Sequence, residues 1–391
     1  MFIAYRNIGI ILGFSAIFLV FTSGLAMNMN SEHIVLGKPP KFDKKGASKF
    51  VKKLKERIKN QIENQRDNIK KDEVKKKKDN KKDDVKKETS VNYDYNFAGE
   101  GDNKRKNFNF AAVGDFGCSN NAEKTVSNIK GNKPELVLPL GDLSYDKSAN
   151  CWLDLISPFS NKLSVTLGFH DVNDGVPKLN QYEKAFDFNK QYGSFDYRHV
   201  HFLTIASESQ FQASSAQYNF VSEDLKKASE NKDIDWIIVT SYGPFYSSPT
   251  THKAEKDLRD IYHPIFEKYG VDLVLQAHNH NYQRTYPISY NSAGDSSNPI
   301  VSNQVTTGYN GDTKGAIFAL VGTGGESFYP LASQAPYVAT QFDGKFGFLN
   351  IDISNGNPHT KLTGTFYDNK GGEVADQFTI EKEIKGIQGQ E

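Results

Sequence analysis

Three apolar runs in this chain stop abruptly at residues able to hold a metal ion. The run 271–275 reads as a buried strand and leads straight into Gln276-Ala277-His278-Asn279-His280. The run 108–113 ends in Gly114-Asp115-Phe116-Gly117, and 135–140 ends in Gly141-Asp142-Leu143-Ser144-Tyr145. Neutral imidazoles are common ligands for transition metals, and at i, i+2 on an extended backbone both rings point roughly to one side. A glycine before each aspartate lets the backbone turn sharply, so that the carboxylate reaches inward. Taken alone, Gly-Asp more often marks a turn, and His-x-His is as often a polar loop. The weight lies in finding Asp115, Asp142, Tyr145, His278 and His280 together, each just after a strand.

The rest of the chain agrees with such a layout. Helical spacing is predicted over 122–129, 217–228 and 255–269, with Gly270 as a C-cap. Further strands are predicted at 163–167, 200–206 and 236–240. After about residue 316 only strands remain, at 316–321, 346–353, 361–366 and 374–380. Parallel strands joined by helices, then a tail of strands, imply a mixed α/β body with a second sheet. In such sheets ligands bind outside the carboxyl ends of strands, which is where these motifs fall. The stretch 281–315, rich in Ser, Asn and Gly, reads as a long surface loop. The 27 Phe and 19 Tyr suit a large β-rich core.

The amino-terminal part has a different texture. Residues 1–26 begin with Arg6, run apolar from Ile8 to Val20, and carry small residues at Gly24 and Ala26. This pattern describes a secretory signal peptide or, as runner-up, an uncleaved anchor, with the body exported, secreted or membrane-tethered on the outside. Residues 27–106 form a lysine-rich arm. Between Lys41 and Ser90 there are 20 Lys plus Arg against 10 Asp plus Glu. That excess of 10, set against a whole-chain net charge of +1, leaves the remainder at −9. Apolar residues at 50, 51, 54, 58, 62 and 69 allow a basic amphipathic helix over about 46–70. Residues 71–87 read as a solvated tether. The arm suits adhesion to an anionic surface. No aromatic residue interleaves the lysines of 71–87, so no sequence-specific nucleic-acid binding is expected. Cys118 and Cys151 are the only cysteines; their loops should meet near the metal-ligand cluster, as a disulfide or as two buried thiols.

Over about 107–382 the motifs resemble those of the calcineurin-like metallophosphoesterases, specifically the purple acid phosphatases. That family carries Gly-Asp-x-Gly, Gly-Asp-x-x-Tyr, Gly-Asn-His-[Asp/Glu], Val-x-x-His and Gly-His-x-His. The resemblance implies an α/β fold of two mixed β-sheets packed as a sandwich flanked by helices, with a binuclear site between the sheets. It implies an iron site made by Asp115, Asp142, Tyr145 and His280, all present, with Asp142 as the bridge. A second divalent ion, zinc, iron or manganese, would use Asp142, His278, the Asn of Gly-Asn-His and the His of Val-x-x-His. Here those last two are replaced. Gly168-Phe169-His170 has Phe for Asn, and Val239-Thr240-Ser241-Tyr242 has Tyr for His. The second site is therefore expected to be weak or empty unless Tyr242 or Asp171 substitutes; the alternative for these two is a place behind the ligands, supporting them. His170 matches the family's substrate-contacting histidine, which can act as a general acid. His252 lies where some relatives place another substrate-binding histidine. His199, His201 and His263 fall outside any motif and are expected to be structural. The implied function is an exported phosphate monoester hydrolase. Its rivals are a relative that binds one metal, phosphate or a partner without turnover, and a surface adhesion protein. Residues 383–391 are a short tail.

Overall fold

The computed structural model describes residues 26–30, 33–37, 105–174, 178–311 and 313–385. The expected signal segment, the amphipathic helix over 46–70, the tether and most of the carboxyl tail lie outside the described residues. The chain divides into two units, residues 1–89 and 90–391. In the first, β1 (Ala26–Asn30) pairs antiparallel with β2 (His33–Gly37), where no element was expected.

The second unit begins with β3 (Phe108–Val113), α1 (Asn120–Asn132) and β4 (Leu136–Pro139). Then come α2 (Asn150–Ile156), α3 (Phe169–Val172) and α4 (Leu179–Phe186). Next are β5 (Gly193–Tyr197), β6 (Val200–Ile205), α5 (Ala216–Glu230), β7 (Trp236–Ser241) and α6 (Lys256–Tyr269). The chain continues through β8 (Leu273–Gln276), β9 (Tyr282–Thr285), β10 (Ile288–Ser289), β11 (Ile300–Val301) and β12 (Gly308–Asn310). It ends with β13 (Ile317–Val321), β14 (Val338–Phe342), β15 (Gly347–Asn355), β16 (His359–Asp368) and β17 (Val374–Glu383).

Two large sheets result, in the orders β12-β17-β16-β15-β3-β4 and β14-β9-β13-β8-β7-β6-β5. Strands β3 and β4 run parallel in one, and β6, β7, β8 and β13 run parallel in the other. Alternation along the second sheet explains how it is covered on both sides. Trp236, Ile238, Leu273, Leu275, Ile317 and Ala319 face the first sheet, in one core with Phe110, Leu349, Ile351 and Phe366. Ile237, Val239, Val274 and Phe318 point the other way, onto Val221 and Leu225 of α5 and Leu258, Tyr262 and Phe266 of α6. Each large apolar side chain so buried contributes about 1.5–3 kcal/mol. Phe110 meets Phe202 edge-on at 5.2 Å across the sandwich, and Trp236 Nε1 donates to Thr360 Oγ1 at 3.0 Å.

The helices end as their sequences dictate. Ser215 caps α5 by accepting from the Tyr218 backbone N–H, and Gly270 closes α6 in the left-handed region at φ 68°. Two expectations need correction. Residues 163–167 form only isolated bridges, Val137 with Leu163 and Leu140 with Thr166, rather than a laddered strand. The stretch 281–315 is not one surface loop, because it contains β9, a buried internal strand of the seven-stranded sheet.

His201 is structural, as expected. It bridges Asp196 Oδ1 at 2.6 Å and Asp224 Oδ2 at 2.9 Å, joining β5, β6 and α5. Burial pushes its pKa down, but hydrogen bonds to the two carboxylates prevail and hold it at about 9. The raised pKa stabilises the fold fully below about pH 6.5, and this contribution is lost as pH rises through 9; it amounts to about 3 kcal/mol. Denaturation of metal-free protein between pH 6 and 10 should therefore show wild type losing that margin relative to His201→Gln. Parallel pH profiles for the two proteins would contradict the assignment.

Candidate metal centre

The carboxyl ends of β3 and β4 meet those of β7 and β8 at one edge of the sandwich; Asp115, Asp142, Tyr145, Tyr242, His252, His278 and His280 lie in the segments that leave these strands, and His170 and Asp171 lie on the short helix α3. Three take left-handed backbone: Asp115 at φ 57°, Asp142 at φ 48° and His278 at φ 74°. Such conformations are uncommon outside glycine and gather at functional sites. Here neighbouring loops hold them. Asp115 N–H donates to Gly141 O at 3.0 Å, and Phe116 N–H to Asp142 O at 3.1 Å. Gly325 and Glu326 N–H groups both donate to Asp115 O, and His278 N–H donates to Asp115 Oδ2 at 3.0 Å. The Cys118–Cys151 disulfide, with Cα atoms 6.0 Å apart, staples the loop after β3 to α2 and settles the choice between disulfide and free thiols.

Asp115, Asp142, Tyr145 and His280 converge. Tyr145 Oη lies 3.2 Å from Asp115 Oδ1, 3.3 Å from Asp142 Oδ2 and 2.9 Å from His280 Nε2. His280 Nδ1 is 2.7 Å from Ser327 O, so this nitrogen carries the proton and Nε2 presents its lone pair to the cluster. Tyr329 stacks on the far face of the His280 ring at 3.9 Å. The electrostatics ask for a cation. Burial, then the charges of Asp115 and Asp171, push the Asp142 carboxyl well above its usual range. Burial, then Asp115 and Asp142, push the Tyr145 phenol up as well. Among the described residues no Lys or Arg forms an ion pair with Asp115 or Asp142. Two carboxylates, a phenol and an imidazole lone pair fit a hard, highly charged ion, which also lowers the phenol's pKa.

The other half of the cluster is built differently. Tyr242 Oη lies 2.6 Å from Asp142 Oδ2 and 2.5 Å from His278 Nδ1. Phe169 begins α3 and is 44% exposed, its ring edge-on to His170 at 5.6 Å. The Asp171 carboxylate is turned to the backbone, accepting from Gly168 N–H at 2.9 Å and Leu143 N–H at 3.1 Å. Burial raises its pKa to about 6, and it braces the loops on either side of Asp142.

His170 and His252 stand at the rim. The His170 backbone N–H donates to Asp142 Oδ1 at 2.8 Å, and its ring lies 4.4 Å from that of Tyr145. Its Nδ1 is 3.3 Å from Asp174 Oδ2, an ion pair when the imidazole is protonated. His252 stacks on His278 at 4.1 Å. Burial lowers both imidazoles, that of His278 to about 4. Sequence reasoning missed Asn279, the residue between the two motif histidines. Its amide accepts from His252 N–H and donates to His252 O, both at 3.0 Å, which fixes His252 over the cluster. It also missed Ser327 and Tyr329, in a loop whose sequence carries no ligand pattern.

A family model described as calcineurin-like phosphoesterase matches residues 108–282. Purple acid phosphatase 1 of Ipomoea batatas is 27% identical over 281 residues, 63% of this chain and 56% of that protein. Purple acid phosphatase 22 of Arabidopsis thaliana is 28% identical over 225 residues, 53% of this chain and 51% of that protein. The chain thus spans about half the length of these curated relatives. Among solved structures, purple acid phosphatase PPD1 from yellow lupin seeds superposes with a TM-score of 0.60 at 20% identity, covering 71% of this chain and 54% of that one. GAP50, the anchor in the inner membrane complex of Plasmodium, gives 0.50 at 18% identity, covering 71% and 89%. These two likenesses concern the fold.

Proposed function

Because the chain is a purple acid phosphatase-like member of the calcineurin-like phosphoesterases, we propose that it is an exported phosphate monoester hydrolase with an intact iron site and a degraded second site. The observation that carries this reading is the convergence of Asp115, Asp142, Tyr145 and His280 on one point, with Tyr145 Oη 2.9–3.3 Å from the other three. Asp115, Asp142, Tyr145 and His280 would hold the iron, which would supply Lewis-acid stabilisation of phosphoryl oxygens and a more acidic water, the chemistry that phosphoryl transfer requires. His170, beside Asp174 at the rim, would carry a proton to the departing alkoxide. His252, its backbone held by Asn279, would orient the phosphate. The disulfide supports export, since such bonds persist in oxidising compartments. The lysine-rich arm would add adhesion to an anionic surface.

The test is spectroscopic as well as kinetic. Iron-loaded wild type should show a visible band from charge transfer between the Tyr145 phenolate and iron. Tyr145→Phe should abolish the band while iron remains bound. A colourless iron-loaded wild type would remove Tyr145 from the ligand set. The placement of Tyr242 favours a second reading, a relative that binds one metal, phosphate or a partner without turnover. Iron content measured alongside hydrolysis of a phosphate monoester separates the two: bound iron with no hydrolysis selects the second.

A further inference from the structure

We propose that the Tyr242 hydroxyl is an internal substitute for the second cation, holding the centre in a one-metal form. The proposal rests on the reading above that Asp115, Asp142, Tyr145 and His280 make the iron site.

The residues that remain do not fit a second ion. Asp142 Oδ2 and His278 Nδ1 are the two surviving donors, and the Tyr242 oxygen touches both, at 2.6 and 2.5 Å. Protein ligands hold a zinc ion at about 2.0–2.2 Å. The hydroxyl oxygen therefore stands where an ion bound by this pair would stand, with no room between. Its hydrogen bonding is complete as well. With iron bound Asp142 is a carboxylate, which can only accept, so the phenol donates its proton to Asp142 Oδ2 and accepts from His278 Nδ1–H. That assignment takes the Nδ1 lone pair of His278 out of service as a ligand.

The ring has no path of withdrawal. Tyr242 follows β7, is 1% exposed, and lies against two glycines. A Cβ on Gly141 would come within 2.6 Å of Tyr242 Cδ2, and one on Gly168 within 2.7 Å. Gly141, at φ 102°, tolerates little but glycine in any case. His252 covers His278 from its far side. Phe169 is different in kind: it fails to supply a ligand but obstructs nothing, since its ring is directed to solvent beside His170. The two departures from the family motif are thus unequal. One removes a ligand; the other removes a ligand and fills its site.

This inequality is what an experiment can read. Wild type, Phe169→Asn, Tyr242→His and the double variant are each loaded with iron and excess zinc, desalted and assayed for both metals. Wild type and Phe169→Asn should hold no second ion. Tyr242→His should bind zinc weakly, and the double variant at least about 100-fold more tightly than wild type. A second ion in wild type, or one gained by Phe169→Asn alone, overturns the proposal. Absence of iron from all four proteins would refute the iron site instead, while the zinc values still decide the role of Tyr242. Should Tyr242→His not fold, Tyr242→Phe keeps the ring and deletes the proton. Its Tyr145-to-iron band should move to shorter wavelength, because Asp142 Oδ2 then gives more charge to the iron. An unmoved band would mean that the hydroxyl merely packs there.

Discussion

Asp376→Ala is expected to lower stability by about 3–5 kcal/mol, the range for breaking a buried pair from one side. Arg284, on β9, is fully buried between the sheets. Its Nε lies 2.6 Å from Asp376 Oδ2 and its Nη2 2.9 Å from Asp376 Oδ1, a two-pronged pair with a residue of β17 in the other sheet. Tyr282 Oη donates to the same carboxylate at 2.8 Å, Thr306 O accepts from Nη2 at 2.9 Å, and the guanidinium sits 4.7 Å over the Phe378 ring. Removing the carboxylate leaves the guanidinium buried with neutral partners only. Since folded domains hold about 5–15 kcal/mol in all, a loss of this size should be plain in a urea titration. Replacing both residues, with Arg284→Met and Asp376→Leu, should recover most of the loss, because no charge is then stranded. If Asp376→Ala shifts stability by less than about 1 kcal/mol, the pair is not a brace between sheets.

The same arginine shows why β9 was hidden in the sequence. A strand is legible when apolar residues mark its buried positions, as in 108–113 and 271–275. In β9 the buried residues are Tyr282, Gln283, Arg284 and Thr285, whose polar atoms find partners only in the folded chain. Four polar residues in a stretch rich in Ser and Asn look like a loop. The metal-ligand motifs were legible for the opposite reason: each is local, a few residues at the end of an apolar run. What the sequence could not convey is where a replaced ligand goes. Phe169 and Tyr242 are equal as letters, two departures from one pattern. Only the fold shows one ring turned outward and the other oxygen between Asp142 and His278. Asp171 was open between spare ligand and support for the ligands, and its backbone partners, Gly168 and Leu143, become visible only in the fold.

Asp142→Asn is expected to have opposite effects on activity and on stability. Asp142 reaches both phenols of the cluster, Tyr145 at 3.3 Å and Tyr242 at 2.6 Å, through the same oxygen. An amide in its place removes the negative charge that a cation needs. Charge stabilisation by a metal is worth several kcal/mol and each 1.36 kcal/mol is a factor of ten, so activity should fall by at least about 10³-fold and iron should be lost. The metal-free fold should respond the other way. Burial and the neighbouring charges of Asp115 and Asp171 raise the Asp142 carboxyl in the folded state, so folding opposes its ionisation. That penalty is absent at pH values below the ordinary carboxyl range and grows as pH rises above it. Metal-free Asp142→Asn should therefore unfold at a higher temperature than metal-free wild type at pH 7, with the gap closing toward about pH 4. Iron added to wild type should reverse the order, since the ion offsets the buried charge that the variant lacks. A variant that loses iron but gains no stability would show that the cluster is not strained by its own charge, and that the neighbouring loops already compensate for it.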